Sequence, residues 1–240
     1  MKILAVVTAR MGSKRLPGKN IKLLGGKPMI NWTIEVARGI DEICDVLVTT
    51  DSTEIAEIAR NAGAYIPWLR PNDLASESAT SVDVVLHALN WYEENNQVVD
   101  GVLLLQPTSP FRSHSMIREG LKLYKAMNES VVAVSPWRRQ NSTVFVENGK
   151  FLSAIESRDA ESMGSLPGRG LFCPNGGLYI VAPAKLRKHK SFFEGKISGV
   201  FVKSEIEELD IDTEHDWLLA EKIIEEHFSL PRKSNLKELR

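Results

Sequence analysis

Arg10, Lys14, Arg15 and Lys19 put four cations within ten residues, interleaved with Gly12 and Gly18. Glycines let the backbone approach a ligand closely. Exposed N–H groups together with cations make a site for a polyphosphate. Far along the chain, Asp210 and Asp212 flank Ile211. In extended backbone, residues two apart point the same way, so both carboxylates face one side. Such a pair suits Mg²⁺, with Mn²⁺ as a substitute, when substrate phosphates complete the octahedron.

Other residues could complete a nucleotide site. Arg70 with the hydroxyls of Thr80 and Ser81 could read a base edge and its ribose, although Thr80 or Ser81 could equally cap a helix. The run Gln106-Pro-Thr-Ser-Pro-Phe-Arg112 contains two prolines, which stiffen it and hold Gln106 and the hydroxyls of Thr108 and Ser109 in place. Arg112 is expected simply to pair with a carboxylate. Asp51 could serve metal, ribose or a helix cap. Glu205, Glu207 and Glu208 read as a solvated charge run. His87, His189, His215 and His227 lack partners in any ligand spacing, and His114 is a weak candidate near the Gln106 run.

Two familiar phosphate motifs fail on spacing. A P-loop has four residues between its glycines and ends in Gly-Lys-Ser/Thr. Here five residues separate Gly12 from Gly18, and Asn20 stands where the hydroxyl belongs. The dinucleotide fingerprint G-x-G-x-x-G is absent.

These residues need elements to position them. Residues 3–7 read as a buried strand, so the loop 8–20 lies at a strand's carboxyl end, where open α/β sheets bind ligands. A helix is expected over 28–38, a strand over 46–50, and a helix from Asp51, Ser52 or Thr53 to Gly63. A helix from Thr80 or Ser81 to Tyr92, a strand over 101–105, a helix over 114–127 and a strand over 131–135 follow. Strands alternating with helices imply a Rossmann-like, mainly parallel sheet with helices on both faces. Strands at 143–146 and 151–155 flank Asn148-Gly149, a hairpin signal. Residues 137–175 therefore read as a lid or dimerisation excursion. Further strands are expected at 177–181 and 200–202, and a last helix from Thr213 to His227. One domain, residues 1–227, and a frayed tail, 228–240, result.

Bulk composition is that of a soluble globular chain: 240 residues, 43% hydrophobic and 25% charged. A net charge of −1 gives no global attraction to nucleic acid, so anions must be held by local positive charge. Two cysteines, Cys44 and Cys173, form neither a metal spacing nor a disulfide framework. The apolar run at 3–7 is too short for a signal core or a membrane span. A cytoplasmic protein without membrane or nucleic-acid partners is the expectation.

Residues 8–20, Thr8-Ala-Arg-Met-Gly-Ser-Lys-Arg-Leu-Pro-Gly-Lys-Asn20, resemble the signature of the CMP-sialic acid synthetases (acylneuraminate cytidylyltransferases), and the resemblance extends to about residue 227. It implies transfer of CMP from CTP to an acidic 2-keto sugar, with Mg²⁺ on Asp210 and Asp212. It assigns Ala9, Arg10, Gly12, Ser13, Lys14, Lys19, Asn20, Arg70 and Ser81 to the nucleotide, with Arg10, Lys14 and Lys19 stabilising the triphosphate. Gln106, Thr108, Ser109 and Asn175 fall to the sugar, and a homodimer is implied. The chain departs from the sialic acid enzymes around Pro174-Asn175-Gly176. They commonly carry Arg immediately before this turn and another about eight residues earlier, whereas this sequence has Cys173 and Ser165. Arg169, Arg138 or Arg139 could supply the replacement guanidinium, and a legionaminic or pseudaminic type of acid is as compatible as N-acetylneuraminate. CMP-Kdo synthesis is a rival, favoured by residues 15–19 and disfavoured by Asn20 and the Pro-Asn-Gly turn. A uridylyl- or guanylyltransferase and a non-catalytic nucleotide-binding regulator are the others.

Overall fold

The structure, a computed structural model, describes residues 1–76, 78–137, 144–155 and 170–228. Strand β1 (Ile3–Thr8) is apolar from Ile3 to Val7 because both of its faces are covered. A short hairpin, β2 (Leu23–Leu24) and β3 (Lys27–Pro28), leads into α1 (Met29–Arg38). Then come β4 (Ile43–Thr49), α2 (Thr53–Asn61), the short α3 (Asn72–Ala75), α4 (Ser81–Asn95) and β5 (Gly101–Leu105). Helix α5 (His114–Met127), β6 (Ser130–Pro136), β7 (Val144–Asn148), β8 (Phe151–Ile155) and β9 (Leu171–Val181) follow. Last are α6 (Pro183–His189), β10 (Ile197–Phe201), α7 (Glu205–Glu208) and α8 (Glu214–Ile223), which ends in a π-helical turn, Ile224–Phe228.

The main sheet has the order β4-β1-β5-β9-β6-β10-β8-β7, with β9 also pairing β7. It is mixed, not mainly parallel as the alternating pattern suggested. Strand β1 runs parallel to β4 and β5, and β10 parallel to β6. Strand β9 returns antiparallel between β5 and β6. The hairpin β7–β8, marked in sequence by Asn148-Gly149, does not leave the sheet but extends its edge through β10 and β9.

Alternation along β1 sends Ile3, Ala5 and Val7 to one face, against α1, α2 and α5. Leu4 and Val6 go to the other, against α4 and Leu186 of α6. Helix α2 takes Ser52 as its N-cap, its hydroxyl accepting from the Ile55 N–H. Helix α4 takes Thr80, in a reciprocal capping box with Asp83. Helices α3, α6 and α7, which were not expected, are four to seven residues long, too short to show a period. Phe228, assigned from sequence to the tail, stacks on Phe111 at 5.5 Å between centroids. Residues 229–240 lie outside the described residues. No described helix is long and apolar enough to cross a membrane.

Candidate active site

The cationic loop follows β1 at the carboxyl edge of the sheet and is tied down from three sides. Asp51, at the end of β4, accepts a 3.1 Å hydrogen bond from the Met11 N–H, so this carboxylate fixes the loop and Ser52, not Asp51, caps α2. Asn20 is buried and donates to the Arg10 carbonyl at 3.0 Å, which closes the loop on itself. Arg70 is buried beneath both. It donates to the Ala9 carbonyl at 3.2 Å, to Thr49 Oγ1 at 3.1 Å and to the Thr49 carbonyl. Burial pushes its pKa down to about 10, offset by Asp51 and reinforced by Arg10, so it remains a cation at neutral pH. Gly18 adopts φ 65°, where an L side chain is strained. Gly12 faces open space, leaving its backbone accessible to a ligand.

A satellite apolar cluster joins this loop to the acidic segment. Leu16, Phe111, Ile211 and Trp217 pack together, each 5% exposed or less. Ile211 is therefore the inward residue of its tripeptide, and its neighbours Asp210 and Asp212 turn outward as the extended reading required. The Ile211 N–H donates to the Thr108 carbonyl at 2.7 Å, fixing the segment against the 106–112 loop. Lys19 donates to Asp212 at 2.7 Å and to the Ile211 carbonyl at 3.0 Å. Arg15 reaches the other Asp212 oxygen at 2.5 Å. Asp216, at N3 of α8, holds the Asp212 and Thr213 N–H groups.

Asp210 opens onto the cleft, yet the surrounding walls displace enough water to push its carboxyl above the ordinary carboxylate range. The Thr108 hydroxyl opposes that shift by hydrogen bonding to the ionised form, Asp212 adds to it, and Lys19 opposes it.

Beside the loop is a cavity of about 270 Å³ lined by Thr8, Arg10, Arg70, Leu74, Ser76, Ser81 and Gln106 among others. It brings together four residues singled out from sequence, Arg10, Arg70, Ser81 and Gln106, and adds Thr8 and Ser76, which sequence reasoning missed. Arg10 reaches across it to the Ser76 carbonyl at 3.4 Å. Leu74 and Val84 give it an apolar wall suited to a base, a reading available from sequence only through their nearness to Arg70 and Ser81.

Next to Gln106 lies a bulge in β9. The ladder with β6 pairs Val132 with Tyr179 but Val134 with Pro174, so Asn175-Gly176-Gly177 is extruded. Sequence reading started this strand at Gly177 because Pro-Asn-Gly-Gly looks like a turn. Gly176 has φ 79°, and a Cβ there would lie 2.9 Å from Ser109 Oγ and 3.0 Å from Gln106 Oε1. Several expected contacts are spent on this architecture. Asn175 donates to Ser135 Oγ at 3.0 Å and accepts from the Gly177 N–H at 3.0 Å, so its amide braces the bulge. The buried Ser109 hydroxyl points to the Asn175 carbonyl at 3.4 Å. Thr108 serves Asp210.

Two further expectations are corrected. Arg112 binds carbonyls and a hydroxyl instead of a carboxylate. Glu207 accepts from the Ser113 N–H at 3.2 Å and docks α7 on α5, so it is not part of a solvated run. His114 lies over Gly39. Ala9 is buried, with its N–H on the Thr49 carbonyl, while Ser13 and Lys14 occupy the outer loop. Arg138, Arg139, Ser165 and Arg169 lie outside the described residues.

Comparison with known proteins identifies the family. The profile of a cytidylyltransferase family matches residues 4–173. The chain is 38% identical over 231 residues to a CMP-N,N'-diacetyllegionaminic acid synthase from Legionella pneumophila, covering 94% of this chain and 97% of that protein. It is 34% identical to an N-acylneuraminate cytidylyltransferase from Escherichia coli, covering 91% of this chain but only 51% of that longer protein. Among solved structures, a CMP:2-keto-3-deoxy-manno-octonic acid synthetase complexed with CTP superposes with TM-score 0.73 at 20% identity, over 94% of this chain and 99% of that one, a likeness of fold. The chain belongs to the cytidylyltransferase family.

Proposed function

We propose that this protein transfers CMP from CTP to an acidic 2-keto sugar of the nonulosonate class, releasing pyrophosphate. The observation that carries this reading is the meeting of Lys19 and Arg15, from the cationic loop, with Asp212 of the acid pair. Triphosphate-binding cations and metal-binding carboxylates then share one cleft, beside a cavity with an apolar wall for a base.

In the reaction, the anomeric hydroxyl of the sugar acid attacks the α-phosphorus of CTP. The bond to the bridging oxygen breaks, pyrophosphate departs, and the hydroxyl proton passes to water. Such transfer depends on positioning and charge neutralisation. Arg10, Lys14 and Lys19 neutralise the triphosphate. Arg70, fixed by its carbonyl partners, and Ser81, at the first turn of α4, orient the nucleoside. Gln106 faces the acceptor. The acid pair fits Mg²⁺ or Mn²⁺, since Asp210 is an under-compensated carboxylate and two protein ligands leave room for phosphate oxygens and water. That ion would neutralise phosphate charge and lower the pKa of the attacking hydroxyl. A homodimer, implied by the resemblance, is part of this reading. Residues 1–227 are read as a single cytoplasmic domain.

The test is pyrophosphate release from CTP, UTP and GTP with N-acetylneuraminate, diacetyl-legionaminate, pseudaminate and Kdo as acceptors. Turnover with CTP and one nine-carbon acid, lost in Asp210→Ala, is expected. Turnover with Kdo alone would move the protein to the eight-carbon acids. Silence with every acceptor, CTP still being bound, would favour a nucleotide-binding regulator.

A further inference from the structure

Arg112 closes the 106–112 loop, and the residue is 3% exposed. Its Nε donates to the Gly177 carbonyl at 2.7 Å and its Nη1 to Thr33 Oγ1 at 2.8 Å. Its Nη2 donates to the Gln106 carbonyl at 2.7 Å and lies 3.5 Å from the Gly176 carbonyl. Three stretches of chain thus converge on one side chain: α1, the loop after β5, and the bulge of β9. None of these hydrogen bonds goes to a carboxylate. Burial pushes the pKa down to about 9, with Asp210 acting in the opposite direction, and the group stays charged at neutral pH.

A buried cation held by neutral acceptors is an expensive way to fill a core position. A well-packed apolar residue would hold the fold at less cost. What an apolar residue cannot do is bind diverging carbonyls in one plane, which the rigid guanidinium fork does. The carbonyls it binds belong to the acceptor half of the cleft. Gln106 borders the cavity on one side, but its amide oxygen faces Gly176, and its own backbone carbonyl is gripped by Arg112. Gly176, the wall facing the Gln106 amide and the Asp210 carboxylate, is gripped together with Gly177. The nucleotide half is held by other residues, Asp51, Asn20 and Arg70, none of which shares a hydrogen-bond partner with Arg112.

We propose that Arg112 is a positioning residue for the acceptor. It sets the distance between Gln106 and the Asn175-Gly176-Gly177 bulge, and adds a fixed positive charge behind the seat of an anionic sugar. The proposal rests on the acidic-sugar reading above and deepens it. It acts through Gln106 and the bulge, and Gly176 and Gly177 stand outside the lining of the cavity proposed for the nucleotide, so its loss should fall more heavily on the acceptor than on CTP.

The experiment uses the full chain with Arg112→Lys and Arg112→Met. Lysine keeps the charge but is a point donor and cannot restore the planar fork. The expected result is a rise in acceptor KM of roughly ten-fold or more in both variants, with the KM for CTP within about two-fold of wild type. Amide exchange should quicken in residues 106–112 and 174–178 and stay unchanged in β1, β4 and α2. Adding Gln106→Ala to Arg112→Lys should cost less than its effect in the wild-type background. Should Arg112→Met fail to fold, Arg112→Lys carries every readout. Parallel loss of CTP and acceptor binding, or exchange unchanged at the bulge, would overturn the positioning role. Absence of turnover by wild type with any acidic sugar would sink the functional reading instead, and the exchange data would still decide whether Arg112 holds the two segments together.

Discussion

Lys19 Nζ and Asp212 Oδ1 are 2.7 Å apart although the residues are 193 positions apart in sequence. The lysine side chain is 11% exposed, so this pair lies at the junction of loop and acid segment and not on the outer surface. Arg15, by contrast, is 66% exposed and reaches the same carboxylate from outside. Asp212 is engaged by two cations that a triphosphate would also attract.

That competition predicts an order of binding. Mn²⁺ should bind weakly to the nucleotide-free protein and tightly once CTP draws Arg15 and Lys19 away from Asp212. Arg15→Gln removes the outer competitor and should tighten nucleotide-free Mn²⁺ binding several-fold, read from the free-ion signal in electron paramagnetic resonance. Equal Mn²⁺ affinity in both proteins without CTP would show that the ion pair does not compete. Lys19→Met removes a donor to the triphosphate as well, and should lower kcat/KM by roughly a hundred-fold or more, in line with the loss of one well-placed charged donor.

Asp210 gives a second prediction, in which activity and stability move in opposite directions. The folded protein holds its carboxyl above the ordinary range, chiefly through burial. At neutral pH the folded state therefore carries a desolvated charge that the unfolded chain does not. Asp210→Asn removes that cost while keeping an acceptor for Thr108. Turnover should be lost and the thermal midpoint at pH 7 should rise. A fall in the midpoint would mean that the charge is already compensated without a metal.

Much of this site was legible because it depends on chain-local signals. The buried run 3–7 and the glycines and cations behind it announce a strand and a ligand loop wherever they occur. Asp-Ile-Asp states its own facing, since Ile211 has to turn inward. What was not legible depends on partners distant in sequence. Nothing near Arg112 reveals that its acceptors are carbonyls at Gln106 and Gly177. Nothing near Glu207 reveals the Ser113 N–H. Pro174-Asn175-Gly176-Gly177 carries the local signature of a turn, and only the pairing of β9 with β6 on both sides makes it a bulge. Asn175 and Ser109 were assigned to the acceptor by resemblance, but their polar groups brace that bulge.

The start of α4 yields a pH-dependent prediction. Asp83 accepts from the Thr80 N–H at 3.3 Å and the Thr80 hydroxyl at 2.6 Å, and these bonds hold its carboxyl below the ordinary range. A depressed folded value means that the unfolded chain binds the proton more readily. The stabilisation is then present above the unfolded value of about 3.9 and is lost as pH falls through the lower, folded value. Thr80→Ala should cost about 1 kcal/mol at pH 7. The difference in midpoint between wild type and Asp83→Asn should shrink on acidification. A difference independent of pH would assign the cap's stability to geometry alone. Ser81 is the first residue of this helix and lines the cavity proposed for the nucleotide, so Thr80→Ala should also weaken CTP binding modestly.

Gly176 is the most exacting single position in the acceptor half. Its φ of 79° is open to glycine and strained for any L side chain. A methyl group there would also approach Ser109 Oγ to 2.9 Å and Gln106 Oε1 to 3.0 Å. Gly176→Ala therefore combines backbone strain of roughly 1 kcal/mol with displacement of the Gln106 amide. The two consequences separate experimentally. Strain should lower the denaturant midpoint, while displacement should raise the acceptor KM more than the KM for CTP. Gly18→Ala serves as the control, because its φ of 65° imposes comparable strain but its Cβ would meet no atom within 4 Å. That variant should lose comparable stability with the acceptor KM unchanged. An equal rise in acceptor KM in both variants would show that backbone strain anywhere in the cleft is enough, and that the contact between Gly176 and Gln106 has no special part in seating the sugar.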